Sequence, residues 1–181
     1  ARLLRDEGIG RFAVSETAQA EALRKAGFVE EEILMLRSTT DREELERLVD
    51  LNVVCTISSV DTGMALNALA ENRSTVAEAH IQVDTGMGFG GFLVGEPEKI
   101  LLAYRSLPNV ALSGIYTQLH AAKVNDPETR QQLQQFHQVL DTIHGAGFET
   151  GTVHAAGSFA LLHNDEARLV AVRAGSAMLG R

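Results

Sequence analysis

Two stretches near the carboxyl end carry residue types that bind an anion. In "AAGSFALL", Ser158 stands at the start of a helical pattern. Free N–H groups of a first turn and the helix dipole favour negative charge there. In "RAGSAM", Gly175 and the amide of Ser176 offer backbone that a ligand can approach closely. Together these suit a phosphate group; plain helix capping by Ser158 is the alternative. A third stretch, "VDTGMGFGGF", sets Gly86, Gly88 and Gly91 in G-x-G-x-x-G spacing after the strand-like "AHIQV". A dinucleotide fingerprint needs a helix opening directly on those glycines. "FLVGEP" follows instead, and no acid stands in 106–111. A loop that lets backbone approach a ligand, or a tight structural turn, remains.

The pentapeptide VDTGM occurs twice, at Val60–Met64 and Val83–Met87. The first copy runs into "MALNALAEN", a helical pattern, where Ser59 or Asp61 is expected to cap the helix. His120, at the end of a strand-like run, faces the expected site and could bind or shuttle protons. His137 and His144 lie seven apart on one helical run, which suits a packed or wet face better than a metal pair. His154 reads as a hydrogen-bonded strand histidine. There is no H-E-x-x-H, cysteine cluster or G-x-S-x-G, so no metal is expected.

The elements that must position these groups alternate regularly. The strand-like runs are "RFAVS", "EILMLR", "NVVCTIS", "VAEAHIQVD", "VALSGIYTQLH", "GTVHAA" and "RLVAVRAG". Amphipathic helical runs separate them; in "ETAQAEALRKAG", Ala18, Ala22, Leu23 and Ala26 fall at helical spacing before Gly27. Alternation of this kind means parallel strands joined by right-handed crossovers. A (β/α)8 barrel closes with eight strands, and these runs are expected to be its second to eighth, the first lying upstream of Ala1. Residues 1–181 are then one α/β barrel domain. In such barrels the active site lies at the carboxyl ends of the strands, and the loops after the last two strands often hold phosphate. Those loops are the ones bearing Ser158, Gly175 and Ser176.

Composition narrows the class. A net charge of −8 without a run of Lys or Arg argues against nucleic acid or an anionic membrane as partner. No apolar stretch is long enough to span a bilayer, and "ARLLRDEGIG" lacks the apolar core of a signal peptide. The single cysteine, Cys55, lies in an apolar run and reads as a buried structural thiol. A cytoplasmic protein is expected.

"VDTGMGFGGF" resembles the D-T-G-M-x-R-x-G-F segment of the alanine racemase family, whose amino-terminal domain is a pyridoxal-phosphate-binding (β/α)8 barrel. "RFAVSETAQAEALRKAGF" resembles that family's F-A-V-A…E-A-x-x-L-R-x-A-G unit, and "EEILMLR" its I-L-V-L strand. "LSGIYTQLHAA" is similar to G-x-x-T-H-F-A-x-A-D, "VHAAGSFALL" to H-x-A-N-S-A-A-x-L, and "AVRAGSAMLGR" to V-R-P-G-I-x-L-Y-G. The matches occur in the family's order across almost the whole chain. The resemblance implies an isomerase that inverts the α-carbon of alanine or a similar small amino acid, with pyridoxal phosphate as cofactor. It maps Ser158, Gly175 and Ser176 onto the phosphate cup. It makes Arg173 the arginine at the pyridine nitrogen, where a lasting positive charge disfavours ring protonation.

Several positions depart from the family. Phe89 replaces the arginine near the cofactor hydroxyl, and Gln82 the lysine that orients it. Gln118 replaces the ring-stacking histidine, Gly157 an asparagine, Ala174 a proline and Leu179 a tyrosine. The family's imine-forming lysine and its opposing tyrosine base have no counterpart in these residues. The lysines present are Lys25 and Lys99 in helical runs, and Lys123 after a strand on the catalytic face. Lys123 is a surrogate candidate, with a solvated loop lysine as the alternative. The chain by itself is expected to be inactive or nearly so; a non-catalytic barrel serving as a binding or assembly module is the other reading. An incomplete ring leaves unpaired strand edges, so a homodimer is expected.

Overall fold

The computed structural model describes residues 1–120, 122 and 126–180. All seven strand-like runs form strands. They are β1 (Arg11–Val14), β2 (Glu32–Met35), β3 (Cys55–Ile57), β4 (Ala77–Asp84), β6 (Val110–Thr117), β7 (Thr152–Gly157) and β8 (Ala171–Arg173). A further two-residue strand, β5 (Phe92–Leu93), sits in the segment read as irregular. The helices are α1 (Arg2–Asp6), α2 (Thr17–Lys25), α3 (Arg42–Asp50), α4 (Val60–Asn72), α5 (Pro97–Ser106), α6 (Pro127–Gly145) and α7 (Ser158–His163). The recorded strand pairings are parallel, as the alternation requires. The chain divides into two compact units, one holding most of 1–79 with 107–111, the other most of 80–180.

In the first unit β1 and β2 pair with Phe12 opposite Ile33 and Val14 opposite Met35. Leu34 bridges to Val54, and Met35 N–H donates to the Val54 carbonyl, which carries the sheet toward β3. The core holds Phe28, Ile33, Met35, Leu48, Ile57 and Leu66, each almost fully buried. The α2 start is fixed by a capping box of Glu16 and Gln19, the α3 start by Asp41, whose carboxylate accepts from the Glu44 N–H. The first VDTGM copy is helical, since α4 begins at Val60, with Asp61 in its first turn and Ser59 just before it. Its Gly63 is a contact glycine: an added Cβ would lie 2.8 Å from Leu107 Cδ1. Cys55 is buried, and burial pushes its thiol up to about 12. An unionised thiol there is inert.

Arg24 ties the ends of α2 and α3 together. Its guanidinium donates to the carbonyls of Leu51 (2.7 Å), Phe28 (2.7 Å), Glu31 (2.8 Å) and Asn52 (2.7 Å). These are carbonyls that a helix end or loop leaves without an intrahelical donor. Arg24→Ala is expected to cost about 2–3 kcal/mol in denaturant unfolding, because several charge-assisted bonds go at once. Arg24→Lys should recover only a minor part, since one ammonium cannot span the fork.

A second tie carries a pH signature. Glu44 accepts from Arg37 Nη1 (3.1 Å), Arg37 Nη2 (2.5 Å) and the Thr17 hydroxyl (2.7 Å). Hydrogen bonding from Arg37 is the main cause that holds the Glu44 carboxyl down at about 2. A carboxylate lowered on folding contributes stability that is full above its unfolded value and vanishes as pH falls toward about 2. Arg37 is partly solvated, so the contribution is about 1–2 kcal/mol. Glu44→Gln is expected to lower stability by that amount at neutral pH and by progressively less as pH falls from about 4.5 to about 2. Urea midpoints measured across that range check it.

In the second unit the strand order is β4-β6-β7-β8, with β5 on the side of β4. β5 pairs parallel to β4, with Val83 opposite Phe92 and Asp84 opposite Leu93. The loop between them therefore turns back on its own strand. Asp84 Oδ1 accepts from the N–H groups of Gly86 (2.9 Å) and Gly88 (3.1 Å). Gly86, Gly88, Gly90 and Gly91 all have positive φ. The second VDTGM copy thus needs glycine for backbone conformation, whereas the first needs it for packing. β6 and β7 pair with Gly114 opposite Thr152 and Tyr116 opposite His154. The α6 start is set by Asp126, whose carboxylate accepts from the Thr129 N–H, and by Pro127 in the first turn. Phe136, Val139 and Ile143 turn its apolar stripe into the core.

Candidate functional site

Because β4, β6, β7 and β8 run parallel, their carboxyl ends lie at one end of the second unit. That end collects the Gly-rich loop, the segment Thr117–His120, Ser158, and Arg173–Ser176. The sequence-derived cofactor residues Ser158, Arg173, Gly175 and Ser176 therefore sit at neighbouring strand ends.

Arg173 closes β8 and is mostly withdrawn from water. Its Nη2 donates to the carbonyls of Thr117 (2.9 Å) and Ala155 (3.1 Å) and to Gln118 Oε1 (2.9 Å). Its Nη1 lies 2.6 Å from His154 Nδ1. Guanidinium nitrogens only donate, so His154 accepts at Nδ1 and carries its proton on Nε2. That Nε2 is 2.9 Å from His80 Nδ1. His80 then accepts at Nδ1 and keeps its proton on Nε2. The Tyr116 ring stacks on His154 with centroids 4.9 Å apart, and the Arg173 guanidinium lies 5.2 Å from the Tyr116 centroid. Burial lowers Arg173 to about 10, and the nearby Tyr116 pushes the other way, so the group is cationic at neutral pH. Among the described residues no carboxylate forms an ion pair with it.

Ser158 does not act as a plain helix cap. It follows the cap residue Gly157, and its Oγ accepts from the N–H groups of Gly175 (2.8 Å) and Ala177 (3.1 Å). Two amides of the chain after β8 thus converge on one point, now held by a hydroxyl oxygen. Ser176 lies between them and opens a 3-10 turn, Ser176–Leu179. The arrangement brings a hydroxyl and two convergent backbone donors together, which is what an anion oxygen requires.

The substituted positions have partners of their own. Gln82 is buried, and its Nε2 donates to the Phe89 carbonyl (3.1 Å). Gln82 therefore closes the Gly-rich loop, and the Phe89 side chain stands out in solvent. Gln118 holds Arg173. Neither Lys25 nor Lys99 is placed for covalent chemistry: Lys25 pairs with Glu21 and Lys99 with Glu96, both on helix surfaces. Lys123 lies outside the described residues. His120 is exposed and 3.8 Å from Glu128, beside an open cleft of about 560 Å³ that Asp84, Thr85 and Gln132 also line. His137 meets the Leu133 carbonyl, while His144 meets the Thr150 hydroxyl, so the two are not a pair. Among the described residues no cluster of His, Cys, Asp or Glu could hold a metal ion. No described helix is long and apolar enough to cross a membrane.

Two participants escaped sequence reasoning. His80 sits inside a strand with apolar neighbours, and nothing in its spacing marks it. Gln132 lies in "QQLQQ", where a helix-surface reading is natural, yet it is 5% exposed. The signal that could have found it is its place one turn before Phe136 on the buried stripe of α6.

The family profile of the alanine racemase N-terminal domain matches residues 1–181. The alanine racemase of Carboxydothermus hydrogenoformans is 33% identical over 99% of the chain and 48% of its own length. The chain spans about half the length of the curated relatives it matches. Among solved structures, the alanine racemase of Clostridium difficile 630 superposes with a TM-score of 0.89 at 28% identity, covering 96% of this chain and 48% of that one. That of Bacillus anthracis, solved with bound L-Ala-P, gives 0.83 at 27% identity, covering 95% and 44%. The chain therefore belongs to the alanine racemase family and has the α/β fold of that family's amino-terminal barrel domain.

Proposed function

We propose that residues 1–181 form one domain that cradles pyridoxal phosphate in a racemase of alanine or a similar small amino acid. The observation that carries this reading is Arg173, a half-buried cation held by neutral acceptors beside a second group of convergent donors. A buried charge without a counter-ion is costly, and a functional site is where such a cost is retained. The residues fit the cofactor at two points. The amides of Gly175 and Ala177, with the Ser158 hydroxyl, would hold the phosphate. Arg173 would face the ring nitrogen.

When bound, pyridoxal phosphate supplies the electron sink that makes an amino acid's α-proton acidic. Arg173 would place a lasting positive charge at the ring nitrogen, which disfavours its protonation. The carbonyls of Thr117 and Ala155 and the Gln118 amide fix the plane of its guanidinium. His154, neutral and protonated on Nε2, orients it from the other side. A Cβ built on Gly157 meets nothing within 4 Å, so the space beside Ser158 is open. None of the described lysines supplies a proton-transfer group here, so the chemistry of removal and return falls to groups other than Lys25 and Lys99.

The family's homodimer and a cytoplasmic setting belong to the same proposal. Among the described residues β8 pairs only with β7, and β1 only with β2. Open strand edges of this kind are ordinarily covered by further chain or by a second copy.

Titration with pyridoxal phosphate, followed by thermal shift and cofactor fluorescence, tests the reading. Saturable binding is expected, weakened at least about tenfold in Ser158→Ala, since one donor–acceptor group of the cradle is lost. Absence of saturable binding would overturn it. Tight binding untouched by Ser158→Ala and Arg173→Met would favour a module that holds another anion elsewhere.

A further inference from the structure

Gln132 lies on α6, and its two amide ends face two directions. Its Oε1 accepts from the His120 N–H at 3.0 Å. Its Nε2 reaches the Gln118 carbonyl at 3.4 Å and the Thr85 hydroxyl at 3.3 Å. Thr85 in turn shares a 2.8 Å hydrogen bond with the Thr117 hydroxyl. Thr85, Thr117 and Gln132 are all buried. One side chain thus clamps the backbone of 118–120 from both sides and ties it to the end of β4. That clamped segment supplies one of the four acceptors of Arg173, Gln118 Oε1, and it follows directly on Thr117, whose carbonyl is another. The segment has no strand partner beyond Thr117 to hold it, because β6 ends there.

We infer that Gln132 and Gln118 act as a carboxamide relay that positions the Arg173 guanidinium for the cofactor. Gln118 sits where the family resemblance places a ring-stacking histidine. Here its amide oxygen holds the arginine instead. Gln132 fixes the backbone from which Gln118 projects. Both are positioning residues, acting through Arg173. A buried glutamine with both amide ends engaged is well suited to this, because it can neither titrate nor choose a second rotamer without losing a bond. The inference rests on reading Arg173 as the cofactor contact.

The test uses Gln118→Ala and Gln132→Leu with two readouts. The first is the side-chain nitrogen spectrum of Arg173, in which a guanidinium held on both Nη groups rotates slowly about Nε–Cζ and shows separate Nη signals. Both variants are expected to merge these signals. Tyr104→Phe, a change in α5 at a buried hydroxyl without a hydrogen-bond partner among the described residues, should leave them separate while altering only stability. The second readout is the pyridoxal phosphate dissociation constant, expected to rise about tenfold in each variant, the effect of one charge-assisted bond. Falls in melting temperature with unchanged Arg173 signals and unchanged affinity would overturn the relay and leave Gln132 a packing residue. If Gln132→Leu does not fold, Gln118→Ala alone decides. Merged signals in the variants, with no cofactor binding by the parent protein, would uphold the positioning and overturn the cofactor reading instead.

Discussion

Gly91→Ala is expected to lower unfolding free energy by roughly 3 kcal/mol or more, the largest stability effect of any single methyl added to the Gly-rich loop. Two costs coincide at this position. Its φ of +122° is a conformation that side chains rarely adopt. A Cβ there would also stand 2.7 Å from the Asp84 nitrogen and 2.9 Å from the Val83 carbonyl carbon, and backbone cannot swing aside. The consequence reaches the site, because Gly91 is where the loop closes on β4 so that β5 can pair. Gly88→Ala is the internal control. It has φ +71° but open space around the Cβ, so about 1 kcal/mol is expected. Urea unfolding of the two variants measures the difference. Equal losses would mean that the loop does not pack back onto its strand.

Arg173→Met is expected to weaken pyridoxal phosphate binding about a hundredfold while changing stability by no more than about 1 kcal/mol. The affinity loss follows from removing a charged donor in a half-buried site, worth about 2–3 kcal/mol. The small stability change follows from two terms that oppose each other. Burial lowers Arg173 from 12.5 to about 10, a penalty of roughly 3 kcal/mol on the charged form that methionine avoids. Against that stand hydrogen bonds to four neutral acceptors, three of which share the two protons of Nη2, worth about 4 kcal/mol together. These nearly cancel. A strand-end arginine kept for stability would instead lose several kcal/mol on substitution and leave binding alone. Isothermal titration beside denaturant unfolding separates the two.

The fold was legible because each βα unit announces itself by period and punctuation. "RFAVSETAQAEALRKAG" gives a strand, apolar residues at helical spacing and a terminating glycine in one line, and β1 and α2 appear where it places them. β5 was not legible. It is two residues long, follows four positive-φ glycines, and exists only because the loop folds back. Local propensity cannot report a pairing that long-range geometry creates. The two VDTGM copies make the same point, since identical letters became a helix start and a strand-to-loop junction according to their flanks.

The geometry of the candidate site was legible where backbone and charge made it. Ser158, Gly175 and Ser176 follow from the ends of the last strands, and Arg173 from the family resemblance. The amide that joins Gly175 at Ser158 belongs to Ala177, a residue whose side chain gives no hint of the role. Gln132 and His80 were hidden for a different reason. Both are buried polar side chains, and burial of one polar residue in a mixed run leaves no periodic mark.

The amides of Gly175 and Ala177 offer the most direct view of the cradle. Backbone amide spectra recorded during titration with pyridoxal phosphate, and separately with inorganic phosphate, report on each of them. Both amides should move together and saturate at one dissociation constant, with the Arg173 side chain responding only to the cofactor. Saturable binding that leaves Gly175 and Ala177 unmoved would contradict the central claim that these donors, with Ser158, receive the phosphate.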